Sequence, residues 1–253
     1  MMNLWKSELY RLTKSKGFYL FWGLSVFVFM TTVLYHNSGG ISMGAPLDFN
    51  ETIKLDIRQA AMNTTYYFFL IFPVFSIISG EFSEHTIKNT VSSAVSKSKY
   101  FVSKFLFTLI YSLSAFTVVN YLFYFINRLI NGSKYSSSFT AFSRAILGQL
   151  PLFAAVISLF IFLAFLLKKG AAFNSVVIIT PLAYSSVAMI LYEIESTRKL
   201  AEKMLTYELS MMIRDLTIGC SDSYRMKCYV IFAAIVVLSF VFGSMIWKKR
   251  ELD

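Results

Sequence analysis

Six runs of uncharged, predominantly apolar residues, at 18–35, 64–80, 105–126, 145–167, 171–192 and 228–247, decide what this chain can fold into. Each is long enough to cross the hydrocarbon of a bilayer as a helix, which takes roughly 17–25 residues. Backbone donors and acceptors find no water there, so a spanning segment must satisfy them internally. The runs lack the alternation of barrel strands, so helices are the expectation. The fold class is therefore an all-α integral membrane protein with six transmembrane helices, in which residues 1–253 form a single transmembrane domain. Composition agrees. The chain is 56% hydrophobic and only 15% charged, with mean hydropathy +0.59, which is more apolar than soluble domains usually are. The first run has no A-x-A-like site after it and reads as a span rather than a cleaved signal.

The net charge of +10 would direct a soluble protein toward nucleic acid. Here no basic, aromatic-interleaved soluble face is left over for it, so nucleic acid is not an expected partner. Lys and Arg instead orient the spans. With the N-terminus inside, the inside segments hold 13 Lys and Arg in 50 residues, against 11 in 81 outside. The enrichment places both termini in the cytoplasm and the basic residues against anionic headgroups. The outside segments are then 36–63, 127–144 and 193–227. In the last, Leu200, Met204, Tyr207 and Met211 recur at helical spacing, which predicts an outer helix on the membrane face. Lys168-Lys169-Gly170 leaves only a minimal turn between the fourth and fifth spans. Pro73, Pro151 and Pro181 fall inside spans and can kink them.

Two segments outside the spans carry a helical stripe. Residues 1–17 form a basic interfacial helix with Leu4, Trp5, Leu9 and Leu12 on one side and Lys6, Arg11 and Lys14 away from it. Residues 81–99 are polar and mildly basic, and Ile87, Val91 and Val95 repeat at a spacing of four. That spacing predicts a surface helix on the cytosolic side and says nothing of what it touches.

Several chemistries are excluded. Gly39 and Gly44 have P-loop spacing, but Ala45-Pro46 follow where Lys-Ser/Thr is needed. The chain lacks HExxH and GxSxG, and its six runs contain no ionisable Asp, Glu, Lys, Arg or His for a proton relay. Two histidines and two cysteines, Cys220 and Cys228, make neither a metal site nor a disulfide framework. The cysteines either pair outside the membrane or remain two small apolar residues near a span. No catalytic or metal-binding residue is expected. Aromatic residues crowd spans two and three. Phe72, Phe75, Tyr111 and Asn120 are candidates for lining a path for an amphiphilic passenger, against the plainer reading of helix-packing and lipid-facing bulk. Glu193, Glu195, Glu202 and Glu208 are interspersed with Lys and Arg, which fits a solvated charged helix better than an enzyme site acting on lipid.

The order of features resembles the permease subunits of bacterial ABC-2 type ABC transporters. A basic N-terminal helix ends in Lys14-Ser15-Lys16-Gly17. Span two ends in Ser79-Gly80-Glu81-Phe82. Thr86-Ile87-Lys88-Asn89-Thr90 follows, then Ser96-Lys97-Ser98-Lys99-Tyr100 and a third span near Ser103-Lys104. His85 stands where the family commonly has glycine. The resemblance implies a coupling helix at 81–99 that receives a cytosolic ABC ATPase dimer, with Glu81, Phe82, Glu84, Thr86, Ile87, Lys88 and Asn89 as contact candidates. It also implies that ATP and Mg are bound by that ATPase and not by this chain, and that a second permease, identical or related, completes the pathway in the bacterial plasma membrane. The layout is similar to lantibiotic-immunity permeases and exporters of amphipathic peptides such as phenol-soluble modulins. It is similar also to sodium- and drug-efflux permeases. A sensor or scaffold that moves nothing would keep the same docking helix.

Overall fold

The computed structural model describes residues 2–36, 53–83 and 96–249. Every regular element among them is helical. Six helices are long and apolar enough to cross a membrane: α2 (Lys16–Tyr35), α4 (Thr64–Ser83), α5 (Lys97–Tyr135), α6 (Phe139–Leu167), α7 (Gly170–Glu193) and α10 (Asp222–Lys249). The shorter elements are α1 (Met2–Lys14), α3 (Leu55–Ala61), α8 (Arg198–Thr206) and α9 (Leu209–Ile218), with a single 3-10 turn at Glu195–Thr197. The chain is thus an all-α integral membrane protein. The central part of the predicted helix at 81–99, residues 84–95, lies outside the described residues. So do residues 37–52, which belong to the first outer segment.

Local chemistry explains most helix starts. The side chains of Ser15, Ser96 and Ser138 accept from the backbone N–H groups of Phe18, Lys99 and Ala141, and so cap α2, α5 and α6. The Glu208 carboxylate caps α9 through Met211. Between α6 and α7, Lys168 adopts the left-handed conformation (φ 56°) and the chain reverses at once, as the minimal turn predicts. Two of the three prolines leave their helices uninterrupted: α6 runs through Pro151 and α7 through Pro181. Of the three proline-bearing helices, only α4 is irregular. Its helix is interrupted at Leu70, and beyond Pro73 a π-helical turn occupies Phe75–Ser79.

Two expectations about the outer segments change. The residues after span three are largely helix rather than loop. The helix continues from Lys97 until Gly132 leaves helical geometry (φ 67°, ψ −168°), and α6 begins at Phe139. At 1.5 Å per residue the continuous part reaches about 50 Å, well beyond a hydrocarbon core of ~30 Å, so α5 protrudes. Within 193–227, the stripe Leu200–Met204–Tyr207–Met211 is not one helix face. The chain breaks at Tyr207 between α8 and α9, Leu200 is exposed, and Ala201, Ile213 and Leu216 are the buried apolar positions. A helix stripe needs an unbroken 3.6-residue period, and the Glu208 cap starts a new one.

The core is aromatic. Tyr66 of α4 sits among Phe21, Phe29, Phe69 and Phe116, with ring centroids 5.1–6.4 Å apart. α6 is the central strut, packing against α5, α9 and, most extensively, α10. Six passes bring both chain ends to one face, called here the N-terminal face. Trp247 near the end of α10 donates from Nε1 to the Lys97 carbonyl at 2.8 Å, and Glu8 of α1 reaches Lys104.

Candidate functional site: a buried ion cluster beside an open cavity

At the N-terminal face, four charged side chains from three elements meet, with Glu8, Glu81 and Lys104 buried and Arg11 partly exposed. Lys104, 2% exposed at the first turns of α5, places Nζ 2.7 Å from Glu8 Oε2, 2.8 Å from Glu81 Oε1 and 2.8 Å from the Ile77 carbonyl. Arg11 of α1 pairs with Glu8 at 2.8 Å and also with Glu81. Tyr100 donates its hydroxyl to Glu81. Two cations and two carboxylates balance, which is the condition for burying charge without a large penalty. Burial works against the Arg11 guanidinium, but Glu81 and Glu8 outweigh it and hold its pKa above the ordinary range. Ile77 lies within the π-helical turn. Such turns shift the backbone ladder and are frequent at functional positions. Here a carbonyl of that turn accepts from Lys104.

An aromatic collar surrounds the cluster. Tyr100 stacks on Trp247 (5.5 Å, 29°), and Phe82 meets Trp247 and Phe165 edge-on at 5.9 and 5.7 Å. Close approach of the helices depends on two glycines. A Cβ at Gly17 would collide with Ser76 Oγ and sit 2.9 Å from the Phe72 carbonyl. One at Gly170 would lie 2.6 Å from the Phe75 ring.

Beside the cluster is a cavity of about 660 Å³, lined by α1, the start of α2, α4 and Asn174 of α7. Its wall includes Phe72 and Phe75, two of the four residues expected along a substrate path. The other two are elsewhere. Tyr111 stacks near Phe107 on α5, 6.3 Å between centroids. Asn120 belongs to a buried amide centre: Asn63 Nδ2 donates to Asn120 Oδ1 at 3.2 Å and to Gln149 Oε1 at 2.9 Å, and Gln149 Nε2 donates to the Ala60 carbonyl and Thr217. The path residues therefore divide among three places: the cavity wall, the Phe107–Tyr111 stack and the amide centre.

Trp5 packs on Phe107 at 6.2 Å and Leu12 is buried, whereas Leu9 is 49% exposed and faces outward. Arg11, expected on the side away from the apolar stripe, turns instead into the cluster. At 100° per residue it lies only about 20° from Leu4, on the face that carries Glu8 into the cluster. Glu81 and Phe82 are contact candidates by resemblance. In the structure Glu81 is 3% exposed and ion-paired, and Phe82 is held in the aromatic collar. Glu84, Thr86, Ile87, Lys88 and Asn89 lie outside the described residues. Cys220, half-buried, and Cys228, buried, are both free cysteines in the structure. Glu8 and Lys104 as cluster members, and Asn63 and Gln149 in the amide centre, were not foreseen. The available signal was a polar residue bordering or interrupting an apolar run.

Helices of this number, length and packing define a polytopic membrane protein. The sequence profile described as ABC-2 family transporter protein matches residues 4–185, and the chain belongs to that family as a transport permease. No curated protein and no solved structure matches it. Permeases of this family are ordinarily non-catalytic and work with an ABC ATPase carried by a separate subunit.

Proposed function

We propose that the chain is the membrane half of an ATP-driven exporter in a bacterial plasma membrane, with both termini and residues 81–99 in the cytoplasm. Two such permeases, identical or related, stand over a separate ATPase dimer that binds ATP and Mg. The cargo is amphiphilic, an antimicrobial or other amphipathic peptide, so that export serves resistance or self-immunity. Residues 84–95 dock on the ATPase through Ile87 and its polar neighbours Glu84, Thr86, Lys88 and Asn89.

The observation that carries this reading is the ion cluster. Glu81 precedes the segment, Lys104 follows it, and both are tied to Glu8 and Arg11 of α1. A push on the segment is therefore shared by α4, α5 and α1 together. The π-helical turn at Phe75–Ser79 and the adjacent Pro73 give α4 the place to yield.

The test is a tagged, full-length chain extracted from its native membrane in mild detergent, with the same chain reconstituted in sealed vesicles beside the captured ATPase. An ABC ATPase retained by the unaltered chain and lost with Ile87→Asp, together with ATP-dependent peptide movement, supports the reading. Retention of the ATPase without any ATP-dependent movement points to a sensor or scaffold. Full transport by Ile87→Asp removes the docking role.

A further inference from the structure

The cavity at the elbow between α1 and α2 has an asymmetric lining. Ile71, Phe72 and Phe75 of α4 and Leu20 of α2 make it apolar on one side. Arg11, Lys14 and Lys16 make it cationic at the mouth. The charges are not all equivalent. Arg11 and Glu81 belong to the ion cluster, which is balanced within itself. Lys14 and Lys16 have no carboxylate at ion-pair distance among the described residues. Both are exposed, and Lys14 is 5.9 Å from the Tyr10 ring it overlies. The mouth therefore carries an uncompensated charge of about two.

The backbone adds to it. α2 begins at Lys16, inside the cavity lining, and Ser15 takes the Phe18 N–H. The first amides of a helix have no intrahelical acceptor, and that end of a 20-residue helix favours an anion. Asn174, half-buried on α7, completes the lining. A volume of about 660 Å³ lies within the range of roughly 300–1,000 Å³ usual for small-molecule sites.

We propose that this elbow cavity binds the phosphate ester headgroup of an anionic lipid from the leaflet at the N-terminal face. The phosphate sits between Lys14, Lys16 and the start of α2, and the acyl chain lies along Leu20, Ile71 and Phe72. The site needs no ATPase and no transported cargo, so it stands independently of the exporter reading.

Native mass spectrometry of the delipidated full-length chain in detergent tests it, with dioleoyl phosphatidylglycerol, dioleoyl phosphatidylcholine and glycerol 3-phosphate as probes. Phosphatidylglycerol is expected to bind more tightly than phosphatidylcholine. Lys14→Gln with Lys16→Gln weakens it by roughly thirtyfold, and Lys14→Arg with Lys16→Arg retains it. Lys248→Gln with Lys249→Gln, a basic pair at the same face outside the cavity, leaves it nearly unchanged. Equal affinity for the two lipids, or equal losses in both glutamine pairs, overturns the proposal in favour of a diffuse basic surface. Glycerol 3-phosphate binding as tightly as the lipid replaces the lipid with a soluble phosphate ester.

Discussion

Lys104 is the residue on which the N-terminal face depends. Its ammonium has three oxygen partners and almost no water. Breaking a buried ion network by removing one member costs about 3–5 kcal/mol, because the partners keep their charge. Lys104→Met is thus expected to lower the thermal midpoint of the detergent-solubilised chain by several degrees, read by intrinsic tryptophan fluorescence. Adding Glu81→Gln to Lys104→Met removes the stranded carboxylate and restores part of the loss. If the double variant is less stable than Lys104→Met alone, Glu81 is held by Arg11 and Tyr100 rather than by Lys104. None of this is visible in the sequence, where Glu8, Arg11, Glu81 and Lys104 are scattered over 97 positions. Each one, taken singly, reads as a headgroup-facing or helix-terminal charge. Only the antiparallel return of α5 beside α4, with α1 lying across them, brings them together.

At the scale of elements, the spans were readable and their ends were not. The run 18–35 became Lys16–Tyr35 and 171–192 became Gly170–Glu193, but 145–167 grew to Phe139–Leu167 and 105–126 to Lys97–Tyr135. Apolarity marks where a helix meets lipid. Helix hydrogen bonding continues into the polar interface until a cap or a residue such as Gly132 stops it. Irregularity inside a span is harder to read. Three prolines fall inside spans, yet only the helix of Pro73 is broken. The close approach of α2 to α4 at Gly17 gives a test at this scale. Replacing Gly17 with valine drives side-chain atoms into Ser76 Oγ and the Phe72 carbonyl. The two helices must separate, at a cost of about 1–3 kcal/mol. Gly23, on the same helix with nothing near its Cβ position, accepts alanine without loss. Thermal unfolding of Gly17→Val and Gly23→Ala side by side measures the contrast. Equal midpoints would mean that the α2–α4 contact tolerates an added side chain.

For the whole molecule, the number of crossings and the direction of crossing are separate questions. The first follows from six helices and from contacts that bring α1, the start of α5 and the end of α10 to one face. The second rests on charge: the segments at that face are about twice as dense in Lys and Arg as those at the other. The turn at Lys168-Lys169 belongs to the basic face, while the charge-rich α8 and α9 lie at the opposite one and narrow the margin. The free cysteines make the direction measurable. Cys220 is half-buried at the far face, between α9 and α10, whereas Cys228 is fully buried. With the N-terminus cytoplasmic, a membrane-impermeant maleimide applied to intact cells labels Cys220, and labelling disappears in Cys220→Ser. In a chain carrying Cys220→Ser and Cys228→Ser, Ser7→Cys, exposed on α1, reacts only after the membrane is permeabilised. The opposite pattern would place α1, the ion cluster and residues 81–99 outside the cell, where no ATPase could reach them, and would end the exporter reading while leaving the fold and the elbow cavity intact.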